Sequence, residues 1–249
     1  MHEIRQEKMN HIIQQREVVT MKELQMAFPE ISLMTIHRDL DLLAAAGFIT
    51  KMRGGARSVR HKRDLAFEIR EQENVPGKAQ MAEKAAALIQ GEACIFLDSG
   101  TTSLALAQRL PDVSMTVITT DPNIAITLAQ AQKPAVTMCP GDLNKETLTV
   151  SGYSTLQFLE TINIDLAFIG VSGYGKAEGF TCGKENEMMV KRQVISRARR
   201  TAALCDQTKF LRLMPFTFAT LEDVDYVISD ASPPEEFLQA AEMAGTLVL

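Results

Sequence analysis

Between residues 93 and 249, short apolar runs alternate with helix-forming segments, and this alternation constrains the fold more than any other feature. The runs cover 93–98, 115–120, 135–139, 165–171, 201–206, 224–229 and 246–249. Helical patterns fall between most of them, at 122–132, 156–161, 184–200 and 234–244, with a further one at 79–90. Strands separated in this way by helices fold into a doubly wound, mostly parallel α/β sheet. Ligands of such sheets bind beyond the carboxyl ends of the strands. Here those ends form a polar set: Asp98-Ser-Gly-Thr-Thr102, Thr119-Thr-Asp121, Pro140-Gly-Asp142, Gly170-Val-Ser-Gly173 and Asp206-Gln-Thr-Lys209.

The first of these turns is the richest. Ile95, Phe96 and Leu97 read as a buried strand, Gly100 as the turn, and Leu104 to Ala107 as the start of a helix. Free N–H groups at a helix start, the helix dipole and the hydroxyls of Ser99, Thr101 and Thr102 suit an anion such as phosphate. The same hydroxyls also fit a plain helix cap.

Residues 1–58 follow a different rule. Ile4, Ile12 and Ile13 mark an amphipathic first helix. Thr20-Met-Lys-Glu23 is a capping-box pattern that opens a short helix over 22–28, and Pro29-Glu-Ile31 is a turn. Ser32 can cap a third helix over 33–46, closed by Gly47. In it Leu33, Ile36, Leu40 and Leu43 form one apolar stripe, Met34 and Arg38 lie on the other side, and Thr35 and His37 flank them. Residues 48–53 read as a strand, Gly54-Gly55 as a tight turn, with Arg57 beyond it. Two helices, a turn, a third helix and a two-stranded wing make a winged helix-turn-helix, whose third helix fits the major groove of DNA. The candidate DNA contacts are Ser32, Thr35, His37 and Arg38 on the third helix and Lys51, Arg53 and Arg57 on the wing.

Charge agrees with this division. The net charge is −5, yet residues 1–63 carry 11 Lys/Arg against 7 Asp/Glu, and the remainder carries 15 against 24. Only the head is therefore expected to meet a polyanion. The expected domains are the head at 1–58, a charged linker at 59–75 that includes the basic run 59–63, and the α/β body at 76–249. No signal peptide or membrane-length apolar run is visible. Cys94, Cys139, Cys182 and Cys205 form no C-x-x-C pair, and three lie in or near strand-like runs, as buried reduced thiols do. The expected location is the cytoplasm.

The head resembles the DNA-binding signature of the DeoR family of bacterial transcriptional regulators. The resemblance rests on Ile31-Ser-Leu-Met-Thr-Ile-His-Arg-Asp-Leu-Asp-Leu-Leu43, Gly47-Phe-Ile49 and Arg53-Gly-Gly-Ala56. His37 and Arg53 stand where that family typically carries Arg and His. The body resembles the family's sensor domain, which is similar to sugar-phosphate isomerases such as ribose-5-phosphate isomerase. The matching pieces are Asp98 to Thr102, Asp165 to Gly173, Glu187 to Lys191, and Asp206-x-x-Lys209. Thr119-Thr-Asp121 and Pro140-Gly141 depart from the usual Thr-Asn and Gly-Gly. The resemblance implies that the hydroxyl-rich loop holds the phosphate of a phosphorylated sugar or polyol, and that Asp206 and Lys209 lie at the effector pocket. The candidate effector contacts are Asp98, Ser99, Gly100, Thr101, Thr102, Thr120, Asp121, Gly141, Gly170, Ser172, Gly173, Lys191, Asp206 and Lys209. For Lys191 the alternative is a surface ion pair with Glu187; for Asp206 and Lys209 it is a turn cap beside a solvated lysine.

The competing function is a sugar-phosphate isomerase with an accessory DNA-binding head. Aldose–ketose isomerisation needs a base to move a proton between neighbouring carbons and a partner to polarise the carbonyl. Asp165 is followed by Leu-Ala-Phe-Ile-Gly with no second carboxylate, and all four histidines lie at or before position 61. The sequence therefore points to a transcriptional regulator, expected to repress a carbohydrate or polyol catabolic operon. Its expected partners are double-stranded operator DNA, a phosphorylated sugar-like effector and further copies of itself as a dimer or tetramer. No cofactor or metal is expected.

Overall fold

The computed structural model describes residues 2–16, 18–45, 48–58, 67–91, 93–210 and 212–249. The expectations placed on Gly47 and on the basic run 59–63 lie outside the described residues, as does the side chain of Ile4. The chain divides into two units, Met1–Arg63 and Asp64–Leu249.

The first unit runs α1 (His2–Arg16), β1 (Val18–Thr20), α2 (Met21–Ala27), α3 (Leu33–Ala45), β2 (Ile49–Met52) and β3 (Gly55–Ser58). Met9, Ile13, Leu24, Ile36, Leu40, Leu43 and Ile49 close a single core. Leu33, expected in that stripe, is 51% exposed, because the first residue of α3 lies a turn short of the core. The capping box forms: Thr20 Oγ1 accepts the Glu23 N–H at 3.3 Å and the Glu23 carboxylate accepts the Thr20 N–H at 2.8 Å. The wing has three antiparallel strands in the order β1-β3-β2 rather than two. Gly55 is required by that third strand, since a Cβ there would lie 2.2 Å from the Val19 carbonyl oxygen.

Asp39 fastens α3 to α1. It is fully buried and accepts bonds from Arg5 Nε at 2.6 Å, Arg5 Nη2 at 3.0 Å and Gln6 Nε2 at 3.2 Å. Burial works to raise the Asp39 pKa, but the bonds from Arg5 and Gln6 hold it below the ordinary value. A carboxylate with a depressed folded pKa adds stability above its unfolded pKa, near pH 4, and loses it as the pH falls through the folded value. Asp39→Ala is expected to cost the head about 2 kcal/mol at neutral pH. It should also flatten the acid limb of the stability curve, as read by urea unfolding at a series of pH values between 2 and 7.

The second unit begins with α4 (Phe67–Gln72) and α5 (Val75–Ala86), then β4 (Cys94–Leu97), α6 (Thr101–Ala107), β5 (Thr116–Thr119), α7 (Pro122–Leu128) and β6 (Ala135–Met138). A hairpin follows, β7 (Asp142–Asn144) and β8 (Thr149–Ser151), and then α8 (Tyr153–Glu160), β9 (Leu166–Gly170), β10 (Gly173–Gly175), β11 (Gly179–Cys182) and α9 (Glu185–Arg197). The chain ends with β12 (Thr201–Leu204), β13 (Phe216–Ala219), β14 (Tyr226–Ile228), α10 (Glu235–Ala244) and β15 (Leu247–Val248). The main sheet is wholly parallel, in the order β15-β14-β12-β9-β4-β5-β6.

Alternate residues of each strand face opposite layers, as the two-residue period of a strand requires. Ile95, Leu97, Leu166 and Phe168 pack with Met81, Ala85, Leu104 and Ile124 of α5, α6 and α7. Phe96, Ala167, Ile169 and Ala203 pack with Leu159, Val190, Val194 and Phe237 of α8, α9 and α10. The thiols of Cys139, Cys182 and Cys205 are buried, and Cys94 is half-buried.

Two features depart from the expected plan. Helix α5 starts at Val75 instead of 79, because the Pro-Gly pair that resembles a linker end instead sits in its first turn, where proline is favoured. The hairpin β7–β8 and a second antiparallel sheet, β10-β11-β13, come from segments of three or four residues with no period to read. From β4 the chain builds outward through β5 and β6, then returns to β9 and builds the other way. The β4/β9 boundary is thus the topological switch point, where such sheets open a crevice.

Candidate functional site

On α3, Ile36, Asp39, Leu40 and Leu43 face the core, which turns Met34, His37, Arg38 and Asp41 outward. Ser32 caps the helix by accepting the Thr35 N–H at 3.2 Å, and its hydroxyl lies 3.0 Å from Thr35 Oγ1. Arg53 and Arg57 are exposed on the wing. Lys51 is held by Asp41 of α3, 2.6 Å from Nζ to Oδ1, so it ties the wing to the helix. The first unit thus gathers Ser32, Thr35, His37 and Arg38 on the leading half of α3, and Lys51, Arg53 and Arg57 on the wing.

In the second unit the carboxyl end of β4 is built around Asp98. Its Oδ2 accepts the Gly170 N–H at 2.9 Å and a bond from Lys191 Nζ, which also donates to the Gly170 carbonyl at 2.8 Å. Asp98 and Lys191 are 2% and 5% exposed, so Lys191 is no surface partner of Glu187. Burial opposes the charge on Lys191, yet the neighbouring Asp98 carboxylate outweighs it and the lysine pKa is raised. The pair clamps β4, β9 and α9 at the switch point.

The turn that follows is held from below. Gly100 takes φ +130°, which only glycine adopts readily, and its N–H donates to Asp121 Oδ2 at 3.0 Å. Asp121 is fully buried and also accepts the Asn123 N–H at 2.8 Å, capping α7; burial pushes its pKa up. Thr101 is buried, Ser99 and Thr102 are half-buried, and the buried Thr120 hydroxyl has no partner among the described residues. Gly141 is a close-approach position: a Cβ would lie 2.3 Å from Thr155 Oγ1. Gly173 is another, with the Arg212 carbonyl oxygen 2.1 Å from the Cβ position. The Ser172 N–H donates to the Thr181 carbonyl at 3.2 Å.

Cations collect on one side of this turn. Asp206 is buried, accepts the Thr208 N–H at 2.8 Å and lies 3.3 Å from Lys209 Nζ. Burial works to raise its pKa, but Lys209 and the Thr208 bonds hold it below the ordinary range. Lys78 of α5 is 7% exposed and donates to the carbonyls of Arg70 and Glu73, the latter at 2.6 Å. Its pKa is lowered, first by burial and then by the positive charge of Lys209. Two lysines from distant segments are thus close enough to repel. Arg70 comes nearest the turn, its Nη1 3.8 Å from where a Cβ on Gly100 would be. Neither Lys78 nor Arg70 was expected from the sequence, because both lie in or beside the segment that reads as a linker. The available signal was a lysine immediately after a Pro-Gly helix start.

A polar cavity of about 250 Å³ lies on the hairpin side, lined by Asn144, Thr149 and Ser151 of the hairpin and by Lys184 and Glu185 to Glu187 at the start of α9. Ser99 joins it to the turn, its Oγ accepting a 2.8 Å bond from Thr149 Oγ1. Lys184 Nζ is 3.4 Å from Glu146 Oε2. Carboxylates, amides and hydroxyls around one cation can hydrogen-bond a polyhydroxyl molecule in both senses. Among the described residues no cluster of three or more His, Cys, Asp or Glu is placed to hold a metal, and no helix is long and apolar enough to cross a membrane.

A groove-reading helix with its wing, joined in one chain to a strand-end site for a polar ligand, defines a ligand-responsive transcriptional regulator. Residues 5–62 match the DeoR-like helix-turn-helix domain and residues 73–231 match the DeoR C terminal sensor domain, and the chain belongs to the DeoR family of transcriptional regulators. It is a DNA-binding regulator and not an enzyme. Among its relatives is the HTH-type transcriptional regulator GolR of Listeria innocua, 32% identical over 91% of this chain and 89% of that one. The HTH-type transcriptional repressor GlcR of Bacillus subtilis is 31% identical over 88% and 85%. The glycerol-3-phosphate regulon repressor of Escherichia coli is 28% identical over 92% and 90%. Among solved structures, ribose 5-phosphate isomerase A of Methanocaldococcus jannaschii overlaps 53% of this chain and 52% of its own, with 17% identity and a TM-score of 0.39.

Proposed function

We propose that the protein represses a carbohydrate or polyol catabolic operon and is released from its operator by a phosphorylated sugar or polyol. The observation that carries the effector class is the hydroxyl-rich Ser99–Thr102 turn with the Arg70 guanidinium 3.8 Å from the Cβ position of Gly100, and with Lys78 and Lys209 in the same electrostatic neighbourhood. Cations gathered beside the turn are relieved by a dianion, and phosphate supplies one. The Ser99–Thr102 turn then faces the phosphate, and the cavity between the hairpin and α9 receives the hydroxyls. Asp98, Asp121, Gly170 and Lys191 shape the turn from beneath instead of touching the ligand. Repression is the role named for the relatives GlcR and the glycerol-3-phosphate regulon repressor. Two or more copies acting on repeated half-sites complete the reading.

A thermal-shift screen of phosphorylated sugars and polyols, each beside its unphosphorylated form, tests the effector class. A matching phosphorylated compound at a hundred times its Kd should raise the sensor unit's Tm by about 5–10 °C. An equal response to the unphosphorylated form removes phosphate from the reading. For the head, Arg38→Ala should weaken binding to the selected operator about tenfold to a hundredfold and leave the effector response intact. Unchanged binding in a gel-shift titration takes Arg38 out of the interface.

A further inference from the structure

The leading half of α3 carries a side chain that the DNA contacts above do not use. Met34, the second residue of the helix, is 82% exposed. It shares the outward stripe with His37, Arg38 and Asp41 at helical spacing of three, four and seven residues, opposite the buried Ile36, Leu40 and Leu43. The polar groups beside it are already engaged. Ser32 Oγ accepts the Thr35 N–H, and the Ser32 and Thr35 hydroxyls bond each other. A thioether on a flexible stem is therefore the most prominent free surface at this end of the helix, and it has almost no hydrogen-bonding capacity.

In a helix-turn-helix the first residues of the third helix are the ones that approach base edges. The exposed Arg38, Arg53 and Arg57 surround this end of the head with positive charge, complementary to a duplex and not to a second copy of the same basic surface. Among the features displayed by the four base pairs in the major groove, one is apolar, the 5-methyl group of thymine. From this we infer that Met34 is a specificity-determining residue that reads a thymine in each half-site through its 5-methyl group. The phosphates and purine edges fall to the arginines, and Met34 supplies a contact that is indifferent to charge.

The test uses the full-length protein. Its preferred duplex is first selected from random sequence at fixed salt, and each thymine is then replaced in turn by deoxyuridine, which lacks only the methyl group. At one thymine per half-site the replacement should weaken binding about fourfold, the effect of removing one apolar carbon from a buried contact. Met34→Ala should bind the thymine duplex about fourfold more weakly and should no longer distinguish thymine from deoxyuridine at that position. Met34→Leu should keep the distinction. The slope of log affinity against log salt should be the same for wild type and Met34→Ala, since no phosphate contact is lost. Met34 faces solvent, so the variants fold. The inference is overturned if wild type binds its selected duplex yet ignores every deoxyuridine replacement, if Met34→Ala keeps the methyl preference, or if its salt slope falls. Each of those outcomes leaves DNA binding by the head standing.

Discussion

Lys191→Met is expected to lower the unfolding free energy of the sensor unit by about 3–5 kcal/mol, as is usual when one partner of a buried ion pair is removed. Methionine matches the lysine stem in length and can keep its place near the Phe218 ring, which lies 5.3 Å from Nζ. The loss therefore comes from charge rather than from a cavity. Asp98, 2% exposed, would keep the Gly170 N–H and lose its cation. Urea unfolding followed by circular dichroism measures the effect. Adding Asp98→Asn to Lys191→Met should recover most of it, because the stranded charge is then removed, and the double-mutant cycle isolates the coupling. The sign of the pH dependence follows from the raised lysine pKa. A cation with a raised folded pKa stabilises fully below its unfolded value, near pH 10, and stops doing so as the pH climbs through the folded one. The deficit of the variant should thus be flat from pH 6 to 9 and shrink only in stronger alkali. A deficit under 1 kcal/mol would show that the pair does not clamp the switch point.

Lys209→Met is expected to cut affinity for the phosphorylated effector about a hundredfold, or about 2.7 kcal/mol, at a smaller cost in fold stability than Lys191→Met. The contrast with Lys191 follows from surroundings. Lys209 is 21% exposed at its side chain, and its removal relieves the repulsion on Lys78 while the buried Asp206 loses its cation but keeps its bonds from Thr208. Calorimetric titration with the compound found in the thermal screen gives the affinity, and a gel shift on the selected operator gives DNA binding. The variant should bind operator normally and fail to let go when that compound is added. A variant that releases DNA at the wild-type concentration places the phosphate elsewhere.

The parallel sheet was legible in the sequence because each strand is an apolar run closed by a polar turn, and that punctuation survives without an alignment. The groove-reading helix was legible because Ile36, Leu40 and Leu43 repeat at helical spacing and leave Arg38 outside. Strand β1 and the sheet β10-β11-β13 were not, since three or four residues carry no period and their pairing depends on segments far along the chain. Charge partnerships were the least legible. Lys191 has Glu187 one helical turn away, and its actual partner lies 93 positions earlier in the chain. Lys78 and Lys209 are 131 residues apart and come together because the start of α5 and the segment after β12 are both tied to Asp230, through Asn74 and Gln207, so neither lysine suggests the other in one dimension.

The thiols have a practical consequence. Burial pushes Cys139 and Cys182 up to about 12 and Cys205 well above its ordinary value; Cys94, half-buried at the amino end of β4 on the far edge of the sheet from the strand-end turns, is also raised, by burial and by Asp165, but is the most accessible of the four. Alkylating reagents act on the thiolate, so mildly alkaline labelling will modify Cys94 ahead of the other three. A dye carried there reports on the sensor unit from a distance, without displacing any group around the turn, and requires no cysteine to be added or removed beforehand.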